Sequence, residues 1–63
     1  MKKGTVKFFD PLKGFGFIKP DDASSDLFVH QTGLTENIRD NDKVLYEVEQ
    51  GKRGLNAVNV KLA

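Results

Sequence analysis

The chain has 63 residues, a net charge of +1 and no cysteine. A chain of this length has room for one small domain, residues 1–63, with a thin core, and the missing cysteine excludes disulfides and thiolate metal sites. It has neither an apolar run of membrane-spanning length nor a signal segment after its basic start, so we expect a cytoplasmic protein without a membrane partner.

Positive charge is concentrated in the first third of the chain. Residues 1–20 hold five lysines and one acid, a net +4, whereas residues 21–63 hold five basic and eight acidic side chains, a net −3. A local positive field can attract a phosphate backbone even when the whole protein is nearly neutral. The first third is therefore the region in which we expect an anionic ligand to bind.

The first predicted strand covers residues 4–9 and contains adjacent aromatic residues. Strict alternation would place Val6 and Phe8 inside and Lys7 and Phe9 outside. The adjacent rings leave this assignment open, because a β-bulge or a strong curl would expose both.

The second predicted strand, residues 13–19, follows a turn at residues 10–14. Lysines are rarely buried without a partner, so the face that carries two of them is expected to meet solvent. The side chains on that face are Lys13, Phe15, Phe17 and Lys19, and the opposite face carries Gly14, Gly16 and Ile18. Exposed flat rings between cations suit a ligand with flat faces and negative charge, as single-stranded nucleic acid has.

The third predicted strand, residues 26–30, follows a polar loop at residues 20–25. Alternation separates Leu27 and Val29, which are natural core residues, from Asp26, Phe28 and His30. In the alternative interpretation, Phe15 and Phe17 of the second strand are ordinary core residues and the glycines of that strand face outward. Two strands independently place Phe on the polar face, which favours binding.

The second half of the chain supplies two more strands and most of the remaining core. Residues 31–34 predict a short helical turn, residues 35–42 a polar loop anchored by Ile38, and residues 50–54 a basic hairpin loop. The fourth strand covers residues 43–49 and the fifth covers residues 55–62. Their inward-facing residues are expected to be Val44, Tyr46 and Val48 in the fourth strand and Val58, Val60 and Leu62 in the fifth.

Five short strands without a long helix predict an all-β fold. A flat sheet would leave its strand edges open, whereas closure hides them. We therefore expect a small five-stranded antiparallel barrel.

Two motifs resemble the ribonucleoprotein signatures of the bacterial cold-shock domain family. They are KGFGFI at residues 13–18 and LFVH at residues 27–30, and the similarity extends to KFF at residues 7–9 and NAVNV at residues 56–60. The resemblance covers essentially the whole chain and implies a barrel of the oligonucleotide-binding (OB) type. It also implies binding of single-stranded RNA and DNA, preferably pyrimidine-rich, with little sequence specificity. It further implies that the protein acts as an RNA chaperone in transcription and translation, often in response to cold.

The resemblance assigns nucleic-acid-binding roles to nine residues. The stacking residues that it implies are Phe8, Phe9, Phe15, Phe17, Phe28 and His30. The basic residues that it places near phosphates are Lys7, Lys13 and Arg53.

Several positions depart from the family pattern. Phe8 stands where the family usually has Trp, Gln31 where many members have Phe, Asp10 for a frequent Asn, and Leu55 for a frequent Pro. The loop at residues 35–42 has no aromatic residue. Each change removes or alters a contact, so we expect weaker binding or a shorter site than in a typical member.

The sequence carries no pattern of catalytic residues. His30 is the single histidine, the pair Asp21-Asp22 sits in a Ser-rich turn, and Gly14-Phe15-Gly16 lacks the third glycine of a dinucleotide fingerprint. We therefore predict no enzyme, no cofactor and no metal. A monomer is the default expectation.

Two alternative functions stay open. One is a small barrel whose aromatic groove binds a peptide, and the other is a degenerate family member that binds no oligonucleotide.

Overall fold

The computed structural model describes residues 1–22, 25–51 and 54–63. Within these residues it contains five β-strands and one short 3₁₀ turn at Gln31–Gly33. The strands are β1 (Lys2–Asp10), β2 (Phe15–Pro20), β3 (Leu27–His30), β4 (Lys43–Gly51) and β5 (Gly54–Leu62). The predicted strands therefore exist in the predicted order, with boundaries that differ by one or two residues.

The strands close into a barrel in the order β1-β2-β3-β5-β4. This confirms the predicted five-stranded all-β barrel. The pairs β1–β2, β1–β4, β2–β3 and β4–β5 are antiparallel, and β3 meets β5 in parallel through Phe28 opposite Asn56 and Val29 opposite Ala57. The short parallel contact closes the barrel and covers the edge that β3 would otherwise leave unpaired.

The core consists of the inward-facing residues of every strand together with one anchor from the loop before β4. Its buried members are Val6, Ile18, Leu27, Val29, Ile38, Val44, Tyr46, Ala57 and Val60. Leu34 and Val48 are half-buried against them. The predictions for β2, β3, β4 and Ile38 are therefore confirmed.

The alternation predicted for β5 is wrong at Val58 and at Leu62. Val60 is buried, but Leu62 is 44% exposed and Val58 is half-buried. Asn59 adopts a positive φ of 52°, and the register between β4 and β5 shifts between Leu45 and Glu47. This irregularity breaks the period-two rule, so Ala57 and Val60 face inward three positions apart.

β1 contains a second irregularity. The register between β1 and β2 shifts between Val6 and Phe8, so Lys7 is an extra residue without a partner in β2. After the bulge, Phe8 faces outward with 38% of its surface exposed, and Phe9 is half-buried against the core. The bulge thus resolves the ambiguity of the adjacent rings by exposing Phe8 more than Phe9.

Gly16 allows the bulged part of β1 to lie close to β2. A Cβ atom at this position would clash with the carbonyl oxygen of Phe8 and would lie 2.8 Å from Cα of Phe9. Only glycine can occupy the position without moving one of the two strands.

Candidate nucleic-acid interface

Four phenylalanine rings form one connected group on the outer face of β1, β2 and β3. We call Phe8, Phe15, Phe17 and Phe28 the four-ring cluster. The centroid distances are 6.4 Å for Phe8–Phe15, 5.6 Å for Phe8–Phe17, 5.9 Å for Phe15–Phe28 and 5.9 Å for Phe17–Phe28. Each ring contacts two others, so the cluster is a continuous aromatic surface.

Strand register brings these rings together. Phe8 is opposite Phe17, and Phe17 is opposite Phe28, so one row of rings crosses three strands. Phe15 lies two residues before Phe17 on the same face of β2. The cluster members on β2 and β3 are half-buried, and the residues that alternate with them are buried. The sheet thus holds the rings at the surface while their neighbours fill the core.

The rings of the cluster differ in orientation. Phe15 and Phe28 are stacked with an interplanar angle of 23°, whereas Phe17 meets Phe28 edge-on at 78°. Aromatic rings with different orientations can stack on successive bases of a flexible single strand, since every base has a π-face. A rigid duplex, with its bases already paired and stacked, has no comparable free faces.

His30 lies at the end of β3, opposite Phe15. Its Nδ1 accepts a hydrogen bond from the backbone N–H of Thr32 at 3.2 Å and lies 2.9 Å from the Thr32 hydroxyl oxygen. These contacts cap the 3₁₀ turn. The exposed imidazole ring lies next to Phe15 on the neighbouring strand.

Lys7 is paired with an acid in the structure. Its ammonium Nζ lies 2.9 Å from a carboxylate oxygen of Asp26, the residue just before β3. The two side chains are 61% and 35% exposed, so solvent screens the pair and its contribution to stability is small. A phosphate that binds Lys7 must compete with this carboxylate.

Lys13 and Lys19 flank the cluster along β2. Both side chains are exposed, as the alternation of the second strand predicted. Lys13 belongs to the turn between β1 and β2, and Lys19 lies opposite Thr5 on the far side of the cluster. Positive charge therefore borders the rings at two ends.

The carboxylate of Asp10 holds the turn before β2. Its Oδ1 accepts the backbone N–H groups of Leu12 at 3.0 Å and Lys13 at 3.3 Å, and its carbonyl accepts the N–H of Gly14 at 2.7 Å. Gly14 has a φ of +76°, which an L-residue adopts only with strain. The negative charge that Asp10 adds near the cluster is thus partly satisfied by backbone donors.

Phe9 lies away from the four-ring cluster, and a shallow groove of about 670 Å³ runs beside it. The groove is also lined by Pro11, Leu34 and Gln31, and the last of these packs against Gly14. The groove combines apolar and polar side chains, since its other lining residues are Thr32, Thr35, Glu36 and Asn37.

Arg53 lies outside the described residues, so its predicted role stays a prediction. In the described part of the chain, no group of three or more His, Asp or Glu side chains is arranged to hold a metal ion. Over the same residues, no helix has both the length and the hydropathy needed to cross a lipid bilayer.

Sequence reasoning gave no role to one residue that borders this surface. Asp26 was assigned to the outer face of β3, but its pairing with Lys7 links residues 19 positions apart, and local pattern carries no signal for it. The structure adds Asp26 to the border of the cluster.

The fold and this surface define a class of protein: a closed five-stranded barrel with an exposed aromatic face bordered by lysines. Residues 2–63 match the family described as the "'Cold-shock' DNA-binding domain". The chain belongs to this family. Nucleic-acid binding is the property of the class, and the expected family is thereby confirmed.

Similar proteins come from several bacteria. The chain is 51% identical to the cold shock-like protein CspG of Escherichia coli over 61 residues, which covers 90% of this chain and 87% of that protein. It is 47% identical to a cold shock protein of Arthrobacter globiformis over 98% of both chains. It is 45% identical to the major cold shock protein of Micrococcus luteus, over 95% of this chain and 96% of the relative.

A solved structure has the same fold. The structure titled "drosophila Unr CSD456" superimposes with a TM-score of 0.81 at 29% identity and covers 98% of this chain. The present chain spans 26% of that longer chain, so the likeness concerns one part of it.

Proposed function

We propose that this protein binds single-stranded RNA and DNA, with little sequence specificity and a preference for pyrimidine-rich strands, by stacking unpaired bases on the four-ring cluster. The observation that carries the proposal is the continuous contact among four half-exposed rings on three strands. Stacking on one aromatic side chain contributes about 1–3 kcal/mol per base and tolerates any base. His30 provides a further flat surface next to Phe15.

Phosphates supply the second part of the binding energy in this proposal. Lys7, Lys13 and Arg53 are the proposed phosphate contacts, and Lys19 lies on the same face as the rings. Since Lys7 already has a carboxylate partner, its net contribution is smaller than that of an unpaired lysine. Phe9 is assigned to the edge of the site, where it lines the groove together with Gln31.

The chaperone role follows from the thermodynamics of binding. A protein that binds only unpaired bases lowers the free energy of open RNA relative to hairpins, without catalysis and without ATP. At a free protein concentration ten times Kd, one bound molecule shifts the hairpin equilibrium by about 1.4 kcal/mol. We propose that the protein acts in this way as a monomer on cytoplasmic RNA, in transcription and translation and in the response to cold.

The dependence of affinity on salt tests the proposal. We expect binding to hexathymidine to weaken with a log–log slope of about −0.7 for each phosphate contact, or roughly −3 for four contacts. Hexauridine should bind with similar affinity, because stacking uses the faces of the bases and not the 2′-hydroxyl group that distinguishes RNA from DNA.

The alternative functions predict different results in the same experiment. A peptide-binding groove would bind a short proline-rich or aromatic peptide with almost no salt dependence and would not bind hexathymidine. A degenerate family member would bind neither. Backbone amide shifts in a titration with hexathymidine, concentrated in residues 7–19 and 28–31, would locate the site on the four-ring cluster.

A further inference from the structure

The bulge in β1 decides which of two neighbouring rings reaches the outer surface. In a regular strand, the burial of Val6 would place Phe8 inside and Phe9 outside. The extra residue Lys7 reverses this order, because it shifts all later side chains to the opposite face. Phe8 can join the four-ring cluster only while this bulge is maintained.

Hydrogen bonds from the loop before β4 hold the bulged part of β1. β1 pairs with β4 only from Lys2 to Thr5, so its later residues leave that edge open. There the N–H of Val6 donates to the carbonyl of Asp42 at 2.8 Å, and the carbonyl of Val6 accepts from the N–H of Asn41 at 2.7 Å. The loop thus replaces β4 as the partner of β1.

One side chain of this loop binds the backbone just after the bulge. Oδ1 of Asp40 accepts a hydrogen bond from the backbone N–H of Phe9 at 2.9 Å. Phe9 is the residue whose orientation is coupled to that of Phe8, since they follow each other in the chain. A bond at this N–H therefore fixes the side of β1 on which each ring lies.

The loop before β4 contains hydrogen bonds between its own residues. The N–H of Arg39 donates to Oδ2 of Asp42 at 2.9 Å, and the N–H of Asp42 donates to the carbonyl of Arg39 at 3.1 Å. Asn41 between them adopts a positive φ of 70°, a conformation that Asn tolerates better than most residues. Asp40 therefore reaches β1 from a turn with its own internal hydrogen bonds.

We infer that Asp40 is a positioning residue for oligonucleotide binding. Its carboxylate holds the bulge of β1 and thereby keeps Phe8 on the four-ring cluster. It acts through the backbone of Phe9 and not by contact with the ligand. The inference rests on the proposed function, because it concerns the same aromatic surface.

Two substitutions separate this role from simple charge effects. Asp40→Ala removes the acceptor, and Asp40→Asn keeps an oxygen at the same place while removing the charge. We expect Asp40→Ala to weaken hexathymidine binding by about 3- to 10-fold, the range that loss of one hydrogen bond gives. Asp40→Asn should stay within about twofold of the wild type, because the backbone bond is retained. If both variants bind more tightly, Asp40 only repels phosphate and the inference is overturned.

A matched control separates positioning from loss of stability. Glu47 accepts a hydrogen bond from Asn59 at 2.8 Å on β4 and β5, so Glu47→Ala also removes one exposed carboxylate acceptor. We expect this variant to bind hexathymidine as the wild type does. Equal weakening in Glu47→Ala and Asp40→Ala, measured at a temperature where both are folded, would contradict the positioning role.

A measurement without ligand distinguishes this inference from the proposed function. In the free wild type, NMR should show contacts between the ring protons of Phe8 and Phe17, whose centroids are 5.6 Å apart. These contacts should weaken in Asp40→Ala and persist in Asp40→Asn. If the wild type bound no oligonucleotide, the proposed function would fail while this comparison still reported on the bulge. Unchanged contacts in Asp40→Ala would reject the positioning role even if oligonucleotide binding were confirmed.

Discussion

Phe15 and Phe28 lie on neighbouring antiparallel strands with their ring centroids 5.9 Å apart and their planes within 23° of parallel. They are the one pair of the cluster whose planes are nearly aligned, and the other three contacts are tilted or edge-on. Two aligned faces on adjacent strands present a wider flat surface than one ring does. We therefore place the centre of the proposed stacking surface at this pair, with Phe8 and Phe17 beside it.

The first prediction concerns this pair. Phe15→Ala removes one of the two aligned rings, and we expect the affinity for hexathymidine to fall by about 1–3 kcal/mol. Fluorescence anisotropy of a labelled strand measures the change. Leu62→Ala provides the control, because Leu62 on β5 is about as exposed as Phe8 but lies outside the cluster. An equal loss in both variants would mean that exposed apolar area in general, and not the ring, is what matters.

The second prediction concerns the ion pair of Lys7 and Asp26. Asp26→Asn removes the competing carboxylate, so Lys7 becomes available to a phosphate. We expect tighter hexathymidine binding at low salt and a log–log salt slope steeper by about 0.7, the value for one more phosphate contact on a single strand. Stability should change by less than about 0.5 kcal/mol, because the pair is exposed.

The control for this experiment removes the same charge elsewhere. Glu47→Gln lowers the negative charge by one on β4 and keeps an oxygen that can accept from Asn59. A general charge effect would raise affinity equally in both variants. An unchanged salt slope in Asp26→Asn would show that Lys7 does not reach a phosphate.

The third prediction concerns the groove beside Phe9. Gln31 packs on the turn at Gly14 and presents an amide there. We expect Gln31→Phe to raise affinity for hexathymidine by about 1–3 kcal/mol, since it adds a ring on which another base can stack. Adding Phe8→Trp should raise affinity further through a larger ring. Gln31→Leu is the control of similar apolarity without a flat face, and it should give a smaller gain. Equal affinity of the double variant and the wild type would remove the reason for expecting weak binding here.

The fourth prediction concerns stability and Tyr46. This side chain is fully buried, and in the described part of the chain its hydroxyl has no hydrogen-bond partner. An unpaired buried hydroxyl is costly, so Tyr46→Phe should raise the free energy of unfolding near neutral pH by about 1 kcal/mol. Urea denaturation followed by circular dichroism measures it. A clear loss of stability would show that the hydroxyl is satisfied in solution, for example by a buried water.

The same residue makes stability depend on alkaline pH. Burial, with contributions from the charges of Asp22 and Asp21, raises the pKa of Tyr46 above its usual value of 10.0. A raised pKa means that the folded state keeps the hydroxyl neutral to a higher pH than the unfolded state does. The stability that comes from this difference is complete below pH 10 and is lost as the pH rises through the folded pKa. The free energy of unfolding of Tyr46→Phe should therefore exceed that of the wild type by a growing amount above pH 10. A constant difference across this range would contradict the shift.

Local sequence determined most of the fold and the outward orientation of three of the four rings in the cluster. In a regular strand, alternate side chains point to opposite faces. This rule, with lysines or an acid marking the polar face, was sufficient to place Phe15, Phe17 and Phe28 on the outside. The strand order in sequence and the burial of Val44 and Tyr46 followed from the same rule. The family resemblance came from those motifs and from their spacing.

Tertiary structure decided the features that break this parity or join distant segments. Phe8 faces outward because of a bulge in β1 that is held by Asp40, which lies 31 residues from Phe9, whose backbone N–H it binds. Ala57 and Val60 both face inward because of the irregularity at Asn59. The pairing of Lys7 with Asp26 and the parallel contact of β3 with β5 likewise join residues that no local window contains. Alternation is a property of one strand, whereas bulges, ion pairs and barrel closure depend on which strands become neighbours once the chain has folded.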